Sequence, residues 1–224
     1  VTQAALVRAV AERNELRKKV AEAFTLQEDG GISGAAVFSL LADAAEGDLP
    51  SVKKKIDTLM AAARPKTIRT DEARIVVSAN VLDRPDLVEM IEGAGARVVA
   101  LDSCTGVRHW EGPVAEGTSD PVRAIAERYL TRPPCSRMEG IGRRIDWLVD
   151  LATRTRADGV ILSTVKYCDL WLYDRPQVAE ALEKAGIRVL SVENDYEWSG
   201  AGQTKTRIEA FVETLRHGGA QCSN

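Results

Sequence analysis

Four short apolar runs constrain this chain more than anything else in it: RIVVSA from Arg74, RVVALD from Arg97, GVILST from Gly159 and RVLSVEN from Arg188. Each is rich in β-branched residues and bounded by turn-forming or charged residues, the pattern of a buried strand. Stretches of helical period follow them: PDLVEMIEGAG, then DPVRAIAERYL and Arg137–Arg156, then PQVAEALEKAG, and finally TRIEAFVETL. Continuous apolar strands alternating with amphipathic helices predict a parallel sheet covered on both faces. The expectation is an α/β fold, a doubly wound (Rossmann/flavodoxin-like) parallel sheet over residues 72–217.

The first 70 residues follow a different rhythm. Leu6, Val10, Leu16, Val20 and Phe24 recur at near-helical spacing, QEDGGISG breaks the pattern, and Ser33 or Gly34 opens a second helix. Pro50 and Ser51 introduce a third, with Ile56, Leu59 and Met60 on one side, and Arg64-Pro65 ends it. Residues 1–70 are therefore expected to be an all-helical lead-in that cannot build a large core alone. It has to pack on the following domain or on something that precedes Val1. The opening at Val1, already inside a helical pattern, is how a fragment begins. The tail from 218 to 224 is expected to be flexible.

Composition removes several function classes. A formal net charge of −3 argues against a general binder of nucleic acid, which needs a basic face. No apolar run approaches the roughly 20 residues that span a bilayer, and no signal-peptide pattern opens the chain. A cytoplasmic protein without membrane or nucleic-acid partners is the expectation. The four cysteines, Cys104, Cys135, Cys168 and Cys222, form no CxxC pair, so a zinc ribbon and a thioredoxin motif are both excluded.

In an open parallel sheet, ligands sit beyond the carboxyl ends of the strands. The segments at that edge are SANVLD, LDSCTGVRHW, STVKYCDLW and ENDYEWSGAGQTKTR. They bring Cys104, Cys168, Lys166, Arg108, His109 and Trp171 to one side of the sheet. Cys168 reads in three ways: a packed thiol, a nucleophile served by His109, or a soft-metal ligand. Cys135, behind Pro133 and Pro134, reads as a helix-entry residue or a second ligand on a rigid loop. Cys104 reads as a small side chain in a tight turn, and Cys222 as incidental. SGAGQTKTR lacks Walker spacing. Its glycines and the helix opening near Thr204 still offer backbone amides to an anion.

Four ordered blocks carry a resemblance: LDSCTGVRHW, DPVRAIAERYLTRPPCSRM, the stretch from Ala157 to Leu190, and GQTKTRIEAFVETL. Together they resemble the C-terminal portion of subunits of the 2-hydroxyacyl-CoA dehydratase and benzoyl-CoA reductase family, the dehydratase D-component. Its subunits carry a K-F-C-D phrase before a helix and a G-Q-x-x-T-R-x-E-A-F phrase near the end. Here these are Lys166-Tyr167-Cys168-Asp169 and Gly202-Gln203, Thr206-Arg207, Glu209-Ala210-Phe211.

The resemblance implies a [4Fe–4S] cluster held by cysteines from separated parts of the subunit, with Cys168 as a ligand and Cys135 as a further candidate. It implies a CoA-thioester substrate contacted by Gly202, Gln203, Thr206 and Arg207. It implies a related second subunit in a dimer and an ATP-dependent iron–sulfur activator protein. The chemistry implied is one-electron, ketyl-radical chemistry that dehydrates a 2-hydroxyacyl-CoA or reduces an aromatic acyl-CoA; the catalytic residues are not identified. Family subunits carry a preceding α/β domain with further cluster cysteines, so this chain alone is expected to hold no complete cluster and to be inactive. The alternative is a scaffold or small-molecule-binding relative with the same fold and no cluster.

Overall fold

The structure is a computed structural model; it describes residues 2–63 and 72–218. The Arg64-Pro65 boundary, Cys222 and the tail past Gly218 lie outside the described residues. Three helices come first: α1 (Gln3–Glu28), α2 (Gly34–Glu46) and α3 (Leu49–Ala62). Each is started by a side chain that accepts from a free amide of the first turn. Thr2 caps Ala5 N at 3.2 Å, Ser33 caps Ala36 N at 3.1 Å and Asp48 caps Ser51 N at 3.0 Å.

The α/β portion then runs β1 (Arg74–Ala79), α4 (Asp86–Gly93), β2 (Arg97–Asp102), α5 (Val107–Trp110), α6 (Pro121–Thr131), α7 (Ile141–Arg154), β3 (Gly159–Val165), α8 (Asp169–Lys184), β4 (Arg188–Asn194) and α9 (Ala201–Gly218). The four strands form one parallel sheet in the order β2-β1-β3-β4. The chain moves outward from β1 to β2 and then returns past β1 to β3. The carboxyl ends of β1 and β3 therefore flank a topological switch point. This is the doubly wound α/β arrangement expected from the apolar runs.

The two faces of the sheet are covered by different helices. Ile75, Val77, Val98, Ile161 and Val192 share one core with Leu16 and Val20 of α1, Val37 and Leu41 of α2, Ile56 of α3, Leu87 and Ile91 of α4, and Ile208 and Val212 of α9. Val76, Val99, Val160 and Leu162 share the other with Leu148 and Leu151 of α7 and Val178 and Leu182 of α8. The helical lead-in thus finds its cover on the sheet. Buried Gln27 of α1 also donates to the carbonyl of Val98 in β2 at 2.9 Å. Arg74, at the same amino end of the sheet, gathers three elements, donating to the carbonyls of Glu28, Thr155 and Arg156.

Element starts differ from the sequence reading in physically explicable ways. Helix α7 begins at Ile141 and not at Arg137, because Gly140 takes a left-handed conformation (φ 105°) that ends the preceding turn. Helix α8 begins at Asp169, seven residues before Pro176, which sits inside the helix. A short helix, α5, occupies part of the expected loop after β2.

The turn between β2 and α5 is close-packed. A Cβ added at Gly106 would lie 1.9 Å from the carbonyl oxygen of Leu101, and a backbone atom cannot swing aside as a side chain can. Gly106→Ala is expected to destabilise the protein by about 1–3 kcal/mol, read as a lower urea midpoint with an unchanged slope.

Candidate functional site at the carboxyl edge of the sheet

Cys168 stands where β3 turns into α8. Tyr167 before it is left-handed (φ 68°), and the Cys168 amide donates to Val165 O at 3.2 Å. The Cys168 carbonyl accepts from Trp171 N and Leu172 N, both at 3.0 Å, so Cys168 is the N-cap of α8 while its side chain makes no capping bond. The thiol is free and half-buried. It thus lies at the first turn of a 16-residue helix, where free amides and the helix dipole favour negative charge.

Lys166 turns to β4. Its ammonium pairs with Asp195 at 3.3 Å. Asp195 also accepts from the Ser199 hydroxyl and from Ser199 N at 3.0 Å. The Ser199 hydroxyl and amide, with Lys166 behind them, hold the Asp195 carboxyl down at about 2. The lysine is therefore committed to bridging the turns after β3 and β4, a role the sequence reading did not give it.

Beneath Cys168 lies a buried polar network. Trp171, on the first turn of α8, is 1% exposed. The Arg144 guanidinium from α7 sits 3.8 Å from its ring centroid and that of Arg108 sits 5.7 Å away. Arg144 pairs with Asp174 of α8 at 2.6 Å, and Arg108 with Asp102 at 2.6 Å. Asp102, the last residue of β2, also accepts from Ser78 Oγ of β1 at 2.6 Å and Trp147 Nε1 of α7 at 3.2 Å. Arg108 donates to the Ala79 carbonyl at 3.0 Å. Burial pulls Arg144 below the usual guanidinium range, opposed by Asp102 and Asp174. The sequence placed Arg108 and Trp171 at this edge but gave no sign that Asp102, Arg144, Trp147 and Asp174 converge with them.

The segment read as a glycine-rich loop is mostly helix, because α9 starts at Ala201. Gly202 and Gln203 are exposed in its first turn, and Thr204 is buried against Asn194. Thr206 Oγ1 donates to Gly202 O at 3.1 Å, and the Arg207 guanidinium donates to Ser191 O at 2.7 Å. Cys104 is exposed in the turn after β2. Cys135 is half-buried in the turn before α7, its sulfur accepting from Arg137 N at 3.4 Å. Among the described residues, no three His, Cys, Asp or Glu side chains come close enough together to hold a metal ion.

A match of a family model to residues 1–215, described as 2-hydroxyglutaryl-CoA dehydratase, D-component, decides the relationship. The chain belongs to that family. It is 29% identical over 142 residues to the (R)-phenyllactyl-CoA dehydratase beta subunit of Clostridium sporogenes, covering 63% of this chain and 38% of the relative. It is 28% identical over 149 residues to the lactoyl-CoA dehydratase subunit beta of Anaerotignum propionicum, covering 65% and 39%. A benzoyl-CoA reductase subunit of Thauera aromatica is 22% identical over 199 residues, covering 85% and 51%. The chain thus spans about two fifths to one half of the length of these relatives. Among the described residues no helix is long and apolar enough to cross a membrane.

Two outcomes follow from the polar groups of this family member. Asp102→Ala leaves the Arg108 charge buried without its partner and is expected to cost about 3–5 kcal/mol of stability in urea unfolding. His109 is half-buried beside Trp110 and Tyr129, and burial, with four nearby guanidiniums, lowers it from 6.5 to about 4. The unfolded chain then takes up the proton first, so stability declines as pH falls from 6.5 towards 4. A series of unfolding curves across that window should show the decline, and His109→Gln should flatten it.

Proposed function

We propose that this chain is a subunit, or the C-terminal portion of one, of an enzyme that acts on a CoA thioester by dehydrating a 2-hydroxyacyl-CoA or reducing an aromatic acyl-CoA. The family match across residues 1–215 carries this reading. The names of the relatives, which describe acyl-CoA dehydratase and reductase subunits, support the substrate class. A free, half-buried thiol at a helix N-terminus beside the switch point of a doubly wound sheet supports a site at this edge.

The described residues do not by themselves fit a [4Fe–4S] cluster, since no three potential ligands converge. In our reading Cys168 supplies one thiolate, and Cys135 is a second candidate, for a cluster whose remaining ligands lie elsewhere in the assembled enzyme. The ketyl-radical route implied by the resemblance, and the ATP-dependent activator that serves it, belong to that assembled site. This chain's own residues do the positioning. The Trp171 network fixes the first turn of α8, the Lys166–Asp195 pair ties the turns after β3 and β4, and the start of α9 offers Gly202 and Gln203 to the thioester, with Thr206 and Arg207 behind them. A related second subunit would cover exposed aromatic side chains such as Tyr167, Tyr173 and Tyr196.

Iron analysis tests the ligand role. Anaerobically purified enzyme, with its partner, is expected to contain about four irons per cluster, and Cys168→Ser should lose most of them, because a hydroxyl is a poor ligand for such a cluster. Iron content unchanged in the variant removes Cys168 from the site and leaves the cluster-free scaffold reading for this chain. The substrate contacts are tested separately. Gln203→Ala and Arg207→Ala should weaken CoA-thioester binding in calorimetry while iron content stays constant; affinity equal to the parent moves the substrate site away from α9.

A further inference from the structure

Away from Cys168, a cluster of cations lies where α1, α5 and α6 meet. Tyr129 of α6 carries the Arg128 guanidinium 5.0 Å and that of Arg132 5.6 Å from its ring centroid. His109 lies 6.5 Å from the same ring and 5.1 Å from Trp110, over which Arg13 of α1 is placed at 5.0 Å. Arg17, one turn along α1, is 5% exposed, and Arg128 is 8% exposed. Among the described residues none of these four arginines is in an ion pair. Of the carboxylates nearby, Glu116 accepts at 2.6 Å from Asn14, the residue that also accepts from Arg17, and Glu111 pairs with Arg154 at 2.9 Å; both line the adjoining cavity, and neither is in an ion pair with the four arginines.

Two guanidinium nitrogens in the cluster, Arg17 Nε and Arg128 Nη1, are buried without a hydrogen-bond partner. A desolvated donor of this kind is costly unless an acceptor reaches it. The rest of Arg128 is occupied by the carbonyls of His109, Glu111 and Gly112, and Arg17 Nη1 by Asn14 Oδ1 at 3.1 Å. Burial first, and then the charges of these four guanidiniums, keep His109 neutral. Next to the cluster a cavity of about 790 Å³ opens between α1, the segment after α5 and α7, over Val99 and Ala100 of β2. Asn14, Arg17, Trp110 and Gly112 line it, so the cavity meets the cluster at Arg17.

We propose that Arg13, Arg17, Arg128 and Arg132 form a binding site for a phosphate-bearing ligand whose less polar part enters this cavity. A phosphomonoester brings close to two negative charges and three acceptor oxygens, enough in number to meet both orphaned donors and to offset about half the charge of four cations. A carboxylate brings one charge. Guanidinium forks match phosphate oxygens in pairs, and the apolar lining from Phe24, Val107 and Leu151 suits an organic body. The site is separate from Cys168, and its test is independent of the CoA-thioester reading.

Calorimetry with the purified protein at low salt uses two probes of like charge, inorganic phosphate and 1-naphthyl phosphate. Both should bind, the naphthyl ester more tightly, and added salt should weaken both. Arg13→Gln and Arg132→Gln, at partly exposed positions whose guanidiniums rest on aromatic rings, should each lower affinity about tenfold, with unchanged circular dichroism and melting temperature. Absence of binding by either probe, or binding equal in parent and variants, overturns the site. A naphthyl ester bound no more tightly than phosphate overturns the cavity's part in it.

Discussion

Asp102 is the residue on which the geometry of the carboxyl edge depends. It ends β2, and its two oxygens take a hydroxyl from β1, an indole from α7 and the charge of Arg108 from α5. A buried carboxylate is tolerable only with such partners, so the four elements are held in one arrangement or the charge is left exposed to an apolar core. Arg108 then reaches the Ala79 carbonyl, at the end of β1, and the ring of Trp171. The same indole lies under Arg144, whose partner Asp174 is on α8. Two cations, two anions and one indole thus fix the first turns of α8, and Cys168 stands at its cap. The position of the thiol follows from the network beneath it.

How much of this was legible in the sequence depends on the range of the interaction. Strand and helix alternation is local, and RIVVSA, RVVALD, GVILST and RVLSVEN all form the strands their composition predicts. Caps are local too, and Ser33 stands at the position its sequence context indicates. Pro176 misled because proline usually opens a helix; here the helix tolerates it eight residues in. The glycines of SGAGQTKTR also set the expected helix start too late, since low intrinsic propensity gave way to the packing of Thr204 and Ile208 against the sheet. The family resemblance was carried by short phrases whose order survives at modest identity, and the match over residues 1–215 rests on the same chain.

Convergence over long separations left no such trace. Asn14 binds Val114 through both its amide and its carbonyl, at 2.7 and 2.9 Å, a hundred residues away along the chain. That pairing draws the segment after α5 against α1 and encloses the cavity. A formal net charge of −3 argued against a general polyanion binder, and as a whole-chain sum it averaged away four arginines gathered from α1 and α6. Whole-chain charge speaks about long-range attraction; it is silent on where cations meet after folding.

The carboxyl edge and the arginine cluster make different demands on their surroundings. At the cluster the unsatisfied groups are buried donors, which an acceptor small enough to enter can satisfy. At the edge several apolar side chains are exposed: Tyr167 is 92% exposed and Tyr173 79%, and Leu170 and Tyr196 are exposed as well. Exposed aromatic side chains are stabilised when another surface removes them from water. A small ligand cannot cover that area, whereas a protein surface can. Excluding water there would also strengthen the electrostatic influence of the α8 dipole on the sulfur, because the local dielectric falls.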